Sequence, residues 1–201
     1  MMIRRFLLAA VALAATSSVG IADKIPLGTL SGYLNDLKTA KGAFTQINAD
    51  GTVTTGEIMI KRPGRIRFDY APPDNSLVIA GGQQVAIFDP KSNVPPEQFP
   101  LRRTPLSLIL AETVNLNRSD MVVGHRDDGT STVVTVQDPE NPEYGNIQLK
   151  FTASPVQLRQ WVITNDAGEQ TTVILGDLQN GVEIGSQPFS IVTEIQRRGL
   201  N

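Results

Sequence analysis

Cysteine is absent from this sequence, and histidine and tryptophan each occur only once in its 201 residues. Without cysteine the chain cannot form a disulfide bond or offer a thiolate to a metal ion. One histidine and no cysteine also make a zinc site improbable. His125 precedes a turn and has no nucleophile motif near it. It is better explained as a residue at a strand end than as a catalytic base.

Motifs of common catalytic chemistry are also missing. The chain has no Gly-x-Ser-x-Gly elbow, no phosphate-binding Walker loop and no dinucleotide-binding fingerprint. We therefore predict no enzyme activity, no catalytic residue, no metal and no cofactor. Basic residues do not dominate either, because 18 Lys and Arg stand against 20 Asp and Glu. A mildly acidic chain of this kind is not expected to bind nucleic acid.

The N-terminus contains the single long apolar run of the sequence. Residues 6–15 are apolar and follow Arg4 and Arg5, and Gly20-Ile21-Ala22 supplies the small residues that signal peptidase requires. The run is shorter than the roughly 20 residues of a membrane-spanning helix, which disfavours a membrane anchor. A twin-arginine signal is a further alternative. We predict a signal peptide over residues 1–22 and a single exported domain over residues 23–201.

Two helices are predicted in this domain. Leu27, Leu30, Leu34 and Leu37 recur at helical spacing, and Lys41-Gly42 is expected to end that helix. A second, apolar helix is predicted after Thr104-Pro105, with Thr104 as its N-cap and Pro105 in its first position.

The rest of the chain has the alternation typical of strands. Residues 65–70 are the clearest case, since Ile66, Phe68 and Tyr70 alternate with charged side chains. Gly81-Gly82 lies between two short apolar runs and predicts a hairpin, whereas residues 89–100 predict a long loop. Further strands are predicted over residues 43–47, 52–61, 121–125, 132–137, 147–152, 158–164, 171–175 and 189–195. Since few helices separate them, we predict a mainly β (α+β) fold with an antiparallel sheet.

One segment partly matches a calcium-binding loop. Asn48, Asp50, Gly51 and Glu57 occupy ligand or turn positions of an EF-hand loop, but Gln46 stands where an Asp is expected. Because the flanking segments are predicted strands, we interpret residues 48–51 as a hairpin turn.

Apolar side chains on the central strands and on the helices are numerous enough to need an explanation. On the strands they are Ile58, Ile60, Ile66, Phe68, Tyr70, Leu77 and Ile79. On the helices they are Leu30, Leu34, Leu37, Leu106, Ile109 and Leu110. Composition alone allows either an ordinary filled core or a ligand cavity.

Several segments together resemble the LolA family of periplasmic lipoprotein carriers. The segments are residues 42–46, Gly51, Gly56, residues 60–70, residues 72–74, residues 77–90, residues 104–106, residues 155–158, Trp161 and residues 166–168. They keep the order of the family over nearly the whole exported domain. The C-terminal end departs from it, because residues 189–193 read Phe-Ser-Ile-Val-Thr where the family often has Phe-x-Phe-x-x-Pro.

The resemblance implies an incomplete, strongly curved antiparallel β-barrel covered by a lid of short helices, with acyl chains held between the two. It implies that the strand residues named above line this cavity and that the helical leucines and Ile109 belong to the lid. Arg62 is implied to be a latch that hydrogen-bonds the lid shut when the cavity is empty.

The same resemblance implies a location and partners. A protein of this kind works in the periplasm, receives acylated lipoproteins from an inner-membrane LolCDE-type ABC exporter, and passes them to an outer-membrane acceptor such as LolB. We expect a monomer. Two alternatives are a lipoprotein-sensing regulatory module on the same fold, as in the RseB family, and a periplasmic lipid hydrolase. The hydrolase is disfavoured because the sequence contains no arrangement of nucleophile and base.

Overall fold

The computed structural model describes residues 24–117 and 120–200. The predicted signal peptide therefore lies outside the described residues. Three α-helices occur in the described part of the chain: α1 (Leu27–Asp36), α2 (Leu106–Leu110) and α3 (Ile191–Arg198). The first six strands are β1 (Thr39–Ile47), β2 (Val53–Lys61), β3 (Arg65–Tyr70), β4 (Leu77–Gly81), β5 (Gln84–Phe88) and β6 (Glu97–Pro100). The other six are β7 (Val122–Asp127), β8 (Thr132–Gln137), β9 (Asn146–Ala153), β10 (Val156–Thr164), β11 (Gln170–Leu175) and β12 (Gln179–Asn180).

The strands form one antiparallel sheet made of two meanders. Its order is β6-β5-β4-β3-β2-β1-β11-β10-β9-β8-β7, with the short β12 also paired to β1. The first meander therefore joins the second where β1 pairs with β11, for example at Phe44 and Leu175. The strands β6 and β7 stand at opposite ends of this order, so the described sheet is open between them.

Curvature of the sheet follows from a contact between distant strands. In this order β3 and β10 are four places apart, which in a flat sheet would separate them by about 19 Å. Yet the rings of Phe68 on β3 and Trp161 on β10 meet edge to face, with centroids 6.3 Å apart. The sheet must therefore bend around its own inner face. The prediction of an open, curved antiparallel barrel with a few short helices is confirmed.

Each face of the sheet has its own hydrophobic cluster. The inner cluster is the larger, and it joins α1 and α2 to side chains from both meanders, such as Ile66, Val134 and Leu149. The outer cluster is small and lies under the C-terminal segment, where Leu77, Ile79 and Phe88 pack against Phe189 and Ile191.

The C-terminal segment approaches the sheet closely at Gly81, because a Cβ atom at this position would collide with the carbonyl oxygen of Phe189. A glycine at the end of β4 is thus required by the packing of this segment.

Four sequence predictions of local structure were wrong. The first helix ends at Asp36 and β1 already begins at Thr39, so the chain does not stay helical to Lys41-Gly42. Thr104 is not the N-cap of α2, because Pro105 takes that place and the Thr104 hydroxyl donates instead to the Leu101 carbonyl at 2.8 Å.

The other two errors concern the predicted loop and the last strand. Residues 97–100 form β6 at the edge of the sheet, paired with β5. The predicted strand over residues 189–195 is α3, capped by the Ser190 hydroxyl, which accepts from the Thr193 amide, and ended by Gly199 in the left-handed conformation. The β-branched Ile191, Val192 and Thr193 favoured a strand, but the two caps favour a helix.

Candidate ligand cavity

A cavity of about 720 Å³ opens on the inner face of the sheet. This volume lies within the usual range for small-molecule sites. The walls come from both meanders and from the segment that leads into α2. The lining residues are Gln46, Phe68, Tyr70, Val78, Val85, Ile87, Glu97, Phe99, Arg103, Thr104, Pro105, Leu106, Tyr144, Trp161, Ile163, Asn165, Asp166, Thr171 and Val173.

Five of the seven predicted cavity residues lie on this inner face. Phe68 and Tyr70 line the cavity, and their rings pack edge to face against Phe44. The other three belong to the closed core between the sheet and the two helices: Ile58, Ile60 and Ile66 are at most 3% exposed and do not line the cavity.

Leu77 and Ile79 were predicted on the wrong face. In the register between β3 and β4, Phe68 is opposite Val78 and Ile66 is opposite Ala80, so the residues between them point outward. Leu77 and Ile79 are accordingly buried in the outer cluster. Since Leu77 to Ala80 is an unbroken apolar run, the alternation that identified the inner face of β3 was missing from β4.

On β4, β5 and β6 the residues that line the cavity are ones that the sequence did not predict. Val78, Ile87 and Glu97 lie side by side across the three strands, and Val85 is paired with Phe99. The hairpin at Gly81-Gly82 could have provided their register, but only after the inward face of one strand was known.

The six predicted lid residues all lie in the inner cluster. Leu30, Leu34 and Leu37 of the first helical segment are at most 5% exposed, and Leu106, Ile109 and Leu110 of α2 are at most 9% exposed. The helices α1 and α2 together are called the lid below. Leu106 is the member of this set that also lines the cavity.

The segment that follows α2 is tied to α1 by side-chain hydrogen bonds. Asn35 of α1 exchanges two bonds with the backbone of Val114, at 2.8 and 2.9 Å. The Ser31 hydroxyl accepts from the Leu116 amide at 2.9 Å. Helix α1 is therefore joined by hydrogen bonds to the chain that follows α2.

Arg62 connects both parts of the lid to the sheet. It follows the last residue of β2, is only 7% exposed, and donates through Nη1 to the Leu34 carbonyl of α1 and through Nη2 to the Ala111 carbonyl at 2.5 Å. Its backbone amide also donates to the Lys38 carbonyl at 2.8 Å. Burial lowers the pKa of Arg62, but an arginine stays charged at neutral pH. The guanidinium thus satisfies backbone carbonyls at the C-terminal ends of both helices, where a positive charge is favourable.

Two polar side chains of the cavity wall, Tyr70 and Gln46, are paired with each other. The Tyr70 hydroxyl donates to Gln46 Oε1 at 2.7 Å, and burial raises the pKa of Tyr70 to about 12. The Gln46 amide nitrogen donates in turn to Asn48 Oδ1 at 2.6 Å. At the rim the Arg103 guanidinium lies 5.7 Å from the ring centre of Tyr144. Tyr70 remains an un-ionised donor at neutral pH, so the inner wall carries no charge there.

No group of three or more His, Asp and Glu side chains in residues 24–117 and 120–200 is arranged to hold a metal ion. The imidazole Nε2 of His125 lies 3.0 Å from the Ile25 carbonyl, at the start of the described chain. Residues 48–51 form the turn between β1 and β2, as expected. Every helix in the described part of the chain is too short or too polar to cross a bilayer.

The curved open sheet, the helices that cover part of its inner face and the cavity beside them define a class of small proteins in which a bent sheet and helices enclose a cavity. Residues 35–192 match the family profile described as outer membrane lipoprotein carrier protein LolA, and the chain belongs to this family. Membership confirms the resemblance found in the sequence and the predicted periplasmic location.

Two relatives by sequence agree with this assignment. An outer-membrane lipoprotein carrier protein of Pseudomonas paraeruginosa is 24% identical over 199 residues, covering 94% of this chain and 93% of its own. One from Methylibium petroleiphilum is 36% identical over 113 residues, covering 52% of this chain and 54% of its own. Among solved structures, a LolA superfamily protein from Nitrosomonas europaea is 8% identical with a TM-score of 0.42, covering 83% of this chain and 98% of that one.

Proposed function

We propose that this protein is a periplasmic carrier that binds the acyl chains of lipoproteins leaving the inner membrane and delivers them to the outer membrane. The observation that carries the proposal is the largely apolar cavity on the inner face of the sheet, beside a lid fastened by Arg62. The names of the relatives support the same role. The expected partners are acylated lipoproteins, an ABC exporter of the LolCDE type and an outer-membrane acceptor, LolB or its equivalent.

The energetics of acyl chains explain why such a carrier needs a cavity of this kind. Each CH₂ group removed from water contributes about 0.8 kcal/mol. A chain of about sixteen carbons therefore costs on the order of 12 kcal/mol to expose. A lipoprotein with several chains cannot cross an aqueous compartment unaided. The aliphatic and aromatic side chains that make up most of the cavity wall supply the needed apolar surface.

Lid opening would extend the cavity. Ile58, Ile60 and Ile66 lie on the same face as Phe68 but are covered by the lid. If the lid lifts, these side chains become a continuation of the cavity wall. The bonds from Arg62 to Leu34 and Ala111 then break, and they re-form when the ligand leaves. They favour the empty, closed state and so assist hand-over.

The test is displacement of a hydrophobic fluorescent probe from the purified exported domain. A triacylated lipopeptide should displace the probe, whereas the same peptide without acyl chains should not. Equal displacement by both peptides would contradict the proposal. Mass spectrometry of protein purified from its own periplasm would identify bound acylated species independently.

A further inference from the structure

Trp161 is the one tryptophan of the chain and forms part of the cavity wall. It lies on β10, opposite Leu149 of β9 and Val173 of β11, and is 1% exposed. Its ring contacts Phe68 edge to face across the inner space of the sheet. The side chain is therefore fixed by packing from both meanders.

The indole nitrogen of Trp161 has no hydrogen-bond partner among the described residues. Four buried side-chain atoms in residues 24–117 and 120–200 share this property: Thr54 Oγ1, Arg62 Nε, Asn146 Oδ1 and Trp161 Nε1. Trp161 is the member of this group that lines the cavity. A buried indole N–H normally finds an acceptor, and an orphaned donor is unfavourable.

The chemistry of the Trp161 indole N–H restricts which group could be its hydrogen-bond partner. An indole N–H can donate but cannot accept, so the missing partner must be an acceptor. No group within residues 24–117 and 120–200 fills this role, since Nε1 has no hydrogen-bond partner there. A pure hydrocarbon chain cannot fill it either. The linkage that joins a fatty acyl chain to its carrier, an ester or an amide, contains a carbonyl oxygen that can.

We propose that the indole N–H of Trp161 donates to the carbonyl oxygen of the ester or amide that links an acyl chain to the bound lipoprotein. This inference rests on the proposed carrier function and adds a specificity to it. The cavity then distinguishes acyl chains, which bring a carbonyl, from alkyl chains of the same length, which do not. Since Nε1 itself is shielded from solvent, the carbonyl would reach it when the walls separate to admit the chain.

Two synthetic lipopeptides test the specificity. One carries two ester-linked hexadecanoyl chains on a glyceryl cysteine, and the other carries two ether-linked hexadecyl chains in the same positions. The wild-type protein should bind the ester form about ten-fold more tightly, as expected when one buried donor gains or lacks its acceptor. In Trp161→Phe the ester form should lose this advantage, so that the ratio of ester to ether affinity falls from about ten to about one. A third peptide with a single amide-linked chain shows whether an amide carbonyl serves as well.

The outcomes separate this inference from the carrier function. If the wild-type protein binds ester and ether forms equally, the role of Trp161 is disproved and the carrier proposal stands. If neither form binds, the carrier proposal fails and this inference fails with it. If Trp161→Phe weakens both forms equally, the ring acts through packing alone and the proposed bond is wrong.

A spectroscopic measurement needs no variant and so does not depend on its folding. A single tryptophan gives a single indole N–H signal in a ¹H–¹⁵N correlation spectrum. Binding of the ester lipopeptide should move this signal downfield, as a new hydrogen bond requires, and the ether form should not produce the same shift. Identical shifts with both ligands would overturn the proposal.

Discussion

At the scale of single residues, Arg62 is the position where one substitution should separate binding from release. Its two terminal nitrogens donate to carbonyls of two different helices. A lysine has one nitrogen on a flexible stem and cannot reproduce this fork. Each lost bond to a buried charged group costs about 1.5–3 kcal/mol. We expect Arg62→Lys to lower the free energy of unfolding of the empty protein by an amount in that range, measured by urea denaturation.

The functional consequence is measured on the loaded protein. Arg62→Leu should bind acyl ligand as well as the wild type or more tightly, since closing no longer competes with it, and should pass lipoprotein to acceptor-bearing outer membranes more slowly. Arg159→Leu is a suitable control, because the Arg159 guanidinium bonds to Gln157 and, in an exposed ion pair, to Asp177 instead of to the lid carbonyls. If Arg62→Leu transfers lipoprotein at the wild-type rate, Arg62 stabilises the fold but does not assist hand-over.

At the scale of elements, the docking of α3 on the outer face should depend on pH. Glu194 is 6% exposed, and it accepts from Arg197 at 2.6 Å and Arg198 at 2.7 Å while Arg67 of β3 lies 3.5 Å away. Burial alone would raise the pKa of Glu194, but these arginines outweigh burial and hold the pKa below its ordinary value of 4.5. A carboxyl whose pKa is lowered in the folded state stabilises the fold above its unfolded pKa. That contribution is lost as the pH falls through the folded value.

We therefore expect the stability difference between the wild type and Glu194→Gln to be largest near neutral pH and to shrink as the pH falls below about 4.5. The measurement is urea unfolding of both proteins between about pH 3 and pH 7. Glu57→Gln serves as a control, since the pair of Glu57 with Lys41 is exposed and should contribute little. A difference that stays constant across this range would show that Glu194 contributes by packing rather than by charge.

Also at this scale, the strands were easier to predict than the faces they present. The bounds of β3 follow from its alternation of Ile66, Phe68 and Tyr70 with charged residues. In β4 both faces are buried, so nothing in Leu77 to Ala80 distinguishes the cavity side from the side under α3. Arg62 shares the strand parity of Ile58 and Ile60, and it is buried as they are. Its acceptors, however, are backbone carbonyls of Leu34 and Ala111, and a backbone carbonyl has no sequence signature.

At the scale of the whole molecule, the sheet separates ligand binding from docking of the C-terminal helix. The adjacent residues Val78 and Ile79 test this separation directly, because Val78 lines the cavity and Ile79 is fully buried under α3. Val78→Glu places an unpaired charge among acyl chains and should abolish lipopeptide binding while the protein stays folded. Ile79→Ala should retain binding and lower stability by about 2–5 kcal/mol.

Both variants need the same two measurements, probe displacement by triacylated lipopeptide and urea unfolding. Ile66→Glu is a less informative choice, since Ile66 is 1% exposed within the closed core and its variant is expected to be unstable for that reason alone. If Val78→Glu binds lipopeptide normally, the cavity on this face is not the ligand site. If Ile79→Ala loses binding but not stability, the two faces are not independent.

The opening in the sheet has a mechanical consequence. The order of strands runs from β6 at one end to β7 at the other, and these two strands are consecutive in the chain. The segment that connects them, between Pro100 and Val122, is the one that carries α2 and the carbonyl of Ala111. The sheet is an open ring, and the segment that joins its two end strands includes helix α2 of the lid. Any widening of the ring would displace this segment, and with it the Ala111 carbonyl that accepts from Arg62.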